Sequence, residues 1–227
     1  MKKIKISILI ANYNGEKYLS KCINSCLAQN IKEQYEIIFI DDNSTDNSLS
    51  KFKKFKKNVR LIKTTKSKNI SKFNTYYQLN TYYQGIVKAK GEIICFLDSD
   101  DYLKKSKLSQ ISYYYSKHKN LDFIFDRPIY INSKHEIDSK QKDYGFRENK
   151  WPIFPPQSCI SIKKKILKKN ISKLFKKRFP LTTLDFRIAA LADRNRKNTF
   201  FLKKDLTFYF QHENNESNKN FIKFNAN

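Results

Sequence analysis

Apolar residues in this chain come in short runs that break off into polar clusters. Lys5–Ala11 (KISILIA) predicts a strand that stops at Asn12-Tyr13-Asn14-Gly15, where glycine allows a sharp turn. Glu16–Gln29 places Leu19, Cys22, Ile23, Cys26 and Leu27 at helical spacing and predicts an amphipathic helix. Tyr35–Ile40 (YEIIFI) reads as a second strand running into Asp41-Asp42-Asn43-Ser44-Thr45-Asp46. Asp46 is placed to cap a helix over Asn47–Phe55, and Val59–Ile62 follows as a third strand. A polar loop and a helix occupy residues 64–91. Ile93–Leu97 then forms an apolar run without alternation, which predicts a strand covered on both faces. It enters Asp98-Ser99-Asp100-Asp101. Unpaired charge is too costly to bury, so these carboxylates are expected outside the core.

Further along, Lys104–Lys117 reads as a helix with Leu108, Ile111 and Tyr115 facing inward. Short β-like pieces follow at Asp122–Phe125 and Ile129–Asn132, then a polar loop over residues 133–150. Trp151-Pro152 and Pro155-Pro156 predict a rigid bend before a strand at Ser158–Ile162. Helices are expected at Lys163–Lys169 and Leu184–Ala192, strands at Thr199–Leu202 and Leu206–Phe210, and a loose tail from residue 213. Strand and helix alternate through the first half. That order predicts an α/β fold with a mostly parallel central sheet flanked by helices.

Composition changes this picture little. Lys and Arg number 46 against 21 Asp and Glu, a formal charge of +25 that would draw anions, acidic lipids and phosphorylated substrates included. The lysines are spread along the chain as on solvated helix faces, so nucleic acid is not expected as a partner. No apolar run approaches membrane-spanning length. The basic, apolar N-terminus lacks a small-residue cleavage site, and we read it as the first strand of a cytoplasmic protein. Cys22, Cys26, Cys95 and Cys159 form no CxxC pair and are expected as reduced, packed thiols.

The candidate chemistry lies at three strand ends: Asn12–Gly15, Asp41–Asp46 and Asp98–Asp101. In a parallel sheet all three loops emerge on one edge, the edge where ligands bind. An oxygen-rich cluster there suits a hard cation such as Mg²⁺ or Mn²⁺ that shares its coordination with substrate phosphates. Together the three loops describe a nucleotide site with a metal.

These stretches, SILIANYN, IDDNSTD and GE…FLDSDD, resemble the family 2 glycosyltransferases of GT-A fold, of the bacterial surface-polysaccharide type, over roughly residues 4–110. The resemblance implies a single domain over residues 1–227. Its nucleotide-sugar-binding half would be 1–110 and its smaller acceptor-binding half 111–212. It gives Ala11, Tyr13 and Asp41 or Asp42 to the nucleotide's base and ribose. Asp98 would meet the ribose, and Asp100 a divalent metal (Mn or Mg) bridging the diphosphate. Asp185, in Thr183–Arg187, stands where the family carries its base, and His212 matches a late histidine that touches metal or diphosphate. The implied partners are a nucleoside-diphosphate sugar, UDP-linked by default, and a saccharide or lipid-linked acceptor. Peripheral contact with an anionic membrane face is a further expectation from the charge. One departure is Tyr82-Tyr83-Gln84-Gly85, where the family commonly has an Arg-Asn pair; Lys68 or Lys72 is the candidate replacement cation.

Other readings of the same residues stand beside this one. A phosphatase of the haloacid dehalogenase type also places DxD after an apolar strand, with Asp98 as nucleophile, but leaves Asp41–Asp46 unexplained. A non-enzymatic basic binding protein would be indifferent to loss of Asp100. Asp185 would serve equally as a helix cap or a partner for Arg187, and His212 as a surface residue.

Overall fold

Strand β1 (Ile6–Asn12) lies at the centre of a computed structural model that describes residues 3–65, 74–134, 136–138, 142–148, 150–176 and 182–213. It pairs in parallel with β2 (Tyr35–Asp41) on one side and β4 (Ile93–Asp98) on the other; β3 (Arg60–Lys63) extends the sheet beyond β2. β1, β2 and β4 form strands because their β-branched and aromatic side chains have cover on both faces, while edge strand β3 buries only Ile62. One face carries α1 (Leu19–Leu27) and α4 (Lys107–Lys117), whose Leu19, Cys22, Ile23, Leu108 and Ile111 pack on Ile6, Ile8 and Ile10. The other carries α3 (Asn74–Lys88) and α7 (Leu184–Asp193), with Leu79, Tyr82, Ile86 and Ile188 against Leu9, Ile38 and Phe96.

The second half joins the same sheet. Strand β6 (Phe123–Ile131) connects to β4 through β10 (Ile160–Lys163), which is antiparallel to both. Strand β11 (Thr199–Phe210) runs parallel to β6, and short β5 (Tyr102–Leu103) closes the edge beyond it. Two reversals through β10 bring β6 and β11 back to the direction of β4. The end of β11 therefore emerges on the same edge as Asp98–Asp101. The mostly parallel, helix-flanked sheet expected from the sequence is the architecture observed.

Several local expectations change. The two β-like pieces around Pro128 are one strand, as are the two expected between residues 199 and 210. Pro128 has no N–H to give a ladder, and it falls opposite an irregularity in β11 between Leu202 and Thr207. Charge holds that irregularity: Arg127 Nε reaches Asp205 Oδ1 at 3.0 Å. The polar segment read as loop contains β7 (Ile137–Asp138) and a hairpin of β8 (Gly145–Arg147) and β9 (Lys150–Ile153). Ser158 sits in a 3₁₀ turn, Gln157–Cys159, and not in the strand. All four cysteines are buried free thiols. Lys68, Lys72 and the tail beyond Glu213 lie outside the described residues.

Candidate active site

The parallel register sets Asn12 beside Asp41 and Ala11 beside Asp98, so the loops after β1, β2 and β4 share one rim. Side chains stitch the first two together. Buried Asp41 accepts from Asn12 Nδ2 at 3.0 Å and from the Ser44 hydroxyl at 2.6 Å, and its second oxygen accepts the Ser44 N–H. Asn14, at φ 51°, donates its N–H to Ser44 Oγ and accepts the Thr45 N–H. Asp46 accepts N–H groups of both Glu16 and Ser48; the helix spans Ser48–Phe52 (α2) with Asn47 at its N-cap, so Asp46 stands one residue before the capping position expected of it. Gly15 is required by space. Its φ is not positive, but a Cβ there would stand 2.4 Å from Asn12 Oδ1 and 2.5 Å from Ser99 Oγ.

This geometry sorts the residues expected to hold a nucleotide. Asp41 has its carboxylate turned inward to brace the loops. Asp42 is only partly buried and accepts from the Thr64 hydroxyl. Tyr13 projects outward, 64% exposed, and Ala11 gives its carbonyl to the Ser99 N–H. Asp98, half-buried, accepts the Tyr82 hydroxyl at 2.7 Å and Gln78 Nε2 at 3.1 Å. Gln78 and Tyr82 are one helical turn apart on α3, a spacing that the sequence carried but that pointed nowhere without a known partner.

The expected ligand pair is in contact: His212 Nε2 lies 3.0 Å from Asp100 Oδ2. His212 stacks on Tyr18 with ring centroids 4.9 Å apart, and Tyr18 in turn tilts against Phe210. Asp185 is half-buried in the first turn of α7, where it accepts the N–H of Phe186. Its charge reaches Asp98, whose carboxyl is pushed up to about 7, first by burial and next by Asp100. Arg187 is engaged with the carbonyls of Thr182, Leu174 and Lys176.

Asp101 departs from expectation: it is buried, 1% exposed. Its Oδ1 accepts the Phe210 N–H, tying the β4 loop to β11. Burial, and next the charges of Asp100 and Asp98, push its carboxyl well above the usual range. Beneath it lies a buried pair that sequence reasoning missed. Lys107 and Asp126, both fully buried, meet at 2.7 Å. Lys107 also donates to the Ser158 carbonyl and the Thr207 hydroxyl, and the Ser158 hydroxyl accepts the N–H of Asp98. Burial alone would depress the Lys107 ammonium, but Asp126, together with Cys159 and Cys95, raises it overall.

In the mostly parallel sheet, carboxylates and a histidine thus gather at the rim where β1, β2, β4 and β11 end. The sequence model of glycosyl transferase family 2 matches residues 7–175, and the chain belongs to that family. An uncharacterized glycosyltransferase of Nostoc sp. is 30% identical over 82% of this chain and 57% of its own length. The poly(ribitol-phosphate) beta-glucosyltransferase of Bacillus spizizenii is 38% identical over 58% of this chain and 20% of its own. The chain thus spans little more than half of the first relative and a fifth of the second. Among solved structures, S. aureus TarS 1–349 in complex with UDP-GlcNAc superposes with a TM-score of 0.68 at 21% identity, covering 93% of this chain and 60% of that one. That likeness fixes the fold as the one expected. Membership sets aside the phosphatase reading. No helix among the described residues is long and apolar enough to cross a membrane.

Proposed function

We propose that this chain transfers a sugar from a UDP-sugar to a hydroxyl of a surface polysaccharide or lipid-linked saccharide, with inversion at the anomeric carbon. The observation that carries the reading is the convergence of Asp98, Asp100, His212 and Asp185 on the edge where the parallel strands end. TarS complexes with UDP and UDP-GlcNAc support the donor, and relatives named as poly(ribitol-phosphate) transferases support a cell-surface polymer as the product.

In this reading Asp185 takes the proton of the acceptor hydroxyl as that oxygen attacks the anomeric carbon. The new C–O bond forms on the face opposite the breaking bond to the diphosphate. Asp98, held by Tyr82 and Gln78, meets the ribose. Tyr13 and Asp42 face the base side, and Ala11 lines the floor. Asp100 and His212 would hold a Mn²⁺ or Mg²⁺ ion. One carboxylate and one imidazole fit such an ion if phosphate oxygens and water complete its coordination. No group of three or more His, Cys, Asp or Glu among the described residues is arranged as a metal cage, so the diphosphate would be part of the site. When bound, the ion offsets the charge of the departing diphosphate. The +25 charge supports peripheral contact with an anionic membrane face, to be read as pelleting with phosphatidylglycerol-rich vesicles that salt abolishes.

The test is a thermal shift with UDP and UDP-sugars, with and without Mn²⁺, beside a transfer assay. Binding raises Tm by mass action. Asp100→Ala should lose the metal-dependent part of the shift. Asp185→Asn should keep the shift and lose transfer at least ~100-fold. Undiminished transfer by Asp185→Asn would remove it as the base.

A further inference from the structure

Phe186, which follows Asp185 in α7, belongs to an aromatic pair that the proposed chemistry does not use. Trp151 of β9 and Phe186 of α7 stack with centroids 5.3 Å apart and an interplanar angle of 21°. Stacking usually accompanies burial, yet these rings remain 50% and 47% exposed. Their hairpin is not loose. Phe146 on β8 packs edge-on against Phe201 of β11 at 5.1 Å, and Pro152, next to Trp151, is buried. The strand thus turns Pro152 inward and Trp151 outward, with Phe186 presented directly after Asp185 in the first turn of α7. Paired flat apolar surface left open next to Asp185 in the chain is suited to stacking against a ligand.

We propose that Trp151 and Phe186 are the platform on which a pyranose ring of the acceptor stacks. The inference rests on the transferase reading above and deepens it, since it names the acceptor as a ring sugar. A pyranose offers one rigid C–H face for an aromatic ring and directs its hydroxyls around the rim, where one can meet Asp185. An acyclic polyol phosphate has no such face. The platform therefore selects a cyclic glycan over a polyol phosphate chain of the kind named for the Bacillus relative.

Trp151 is the only tryptophan in the chain, so its emission reports this surface alone. The full chain, saturated with UDP, is titrated with methyl β-glucopyranoside, methyl β-galactopyranoside, methyl N-acetyl-β-glucosaminide and ribitol 5-phosphate. The expected result is a saturable emission change with at least one glycoside and none with ribitol 5-phosphate. Phe186→Ala should weaken that glycoside about tenfold while UDP affinity stays unchanged. Trp151→Phe should keep glycoside binding measured by calorimetry. UDP binding with no response to any glycoside overturns the platform alone, as does an equal response to ribitol 5-phosphate. An emission change that follows protein concentration also overturns it, in favour of a second copy covering the rings. A chain that does not bind UDP overturns the transferase reading and the platform with it.

Discussion

On the wall formed by β1 and β2, polar side chains bind loop backbone, within one loop for Asp41 to Ser44 and Asp46 to Ser48, and across loops for Asn14 to Thr45 and Asp46 to Glu16. On the wall formed by β6, β10 and β11, the comparable role falls to one buried ion pair, Lys107 with Asp126, and to stacked rings. The first wall is a mesh of modest bonds, each worth about 0.5–1.5 kcal/mol net, so that no single loss empties it. The second concentrates its order in few places. A buried pair adds little net stability over an apolar substitute, but breaking it strands a charge in the core. The Lys107–Asp126 pair also carries position, since Lys107 holds the carbonyl of Ser158, whose hydroxyl holds Asp98. The two walls should fail differently.

The largest effect is expected from Lys107→Met. Asp126 would be left buried and unpaired at a cost of about 3–5 kcal/mol, read by urea denaturation. Lys107→Met with Asp126→Leu should recover most of that stability without restoring nucleotide affinity. Full recovery of both would make the pair a plain structural element. On the opposite wall, Gly15→Ala forces a Cβ against Asn12 and Ser99 and should cost about 1–3 kcal/mol. It should weaken UDP binding in calorimetry, because the loops it separates form the rim. Tyr82→Phe takes one hydrogen bond from Asp98 and should cost about 1 kcal/mol, also by urea denaturation. That bond lowers the Asp98 pKa, so its loss should move the carboxyl titration followed by NMR upward.

The smallest effect lies far from both walls. Lys3 and Lys5 hold half-exposed Glu92 down to about 2 from the ordinary 4.5. A depressed carboxyl stabilises the fold above its unfolded value, and that contribution disappears as pH falls from about 4.5 towards 2. Glu92→Gln should therefore lower Tm slightly at pH 7, less so in high salt, and not at all near pH 2. A variant equal to the parent at neutral pH would show that the pair is fully screened.

The difference between the walls also explains what the sequence revealed. A mesh of short-range bonds is written in contiguous strings, and IDDNSTD and FLDSDD mark loops that the fold brings to one rim. What those strings did not reveal is which carboxylate turns inward. The β1–β2 register buries Asp41, and the Phe210 N–H of β11 holds Asp101 inside, neither of which the strings express. The far wall depends on residues distant in sequence. Lys107 looked like any lysine of a basic helix until Asp126 and Thr207 were folded around it. Pro128 and the charged Lys203-Lys204-Asp205 broke the apolar runs of single strands and hid their continuity. Asp100 and His212 meet because two antiparallel reversals cancel, which local patterning cannot express.

The buried cysteines have a consequence of another kind. Cys22 places its Sγ 3.8 Å from the carbonyl of Asp98, and Cys159 follows Ser158 directly. Burial pushes both thiols well above their ordinary range, and that of Cys95 up to about 11, which keeps them inert while the interior is closed. A thiol reagent can reach them only in the moments when the β4 edge parts from its neighbours. The protein thus carries its own clock for breathing at the cleft, and a nucleotide that clamps that edge would slow it.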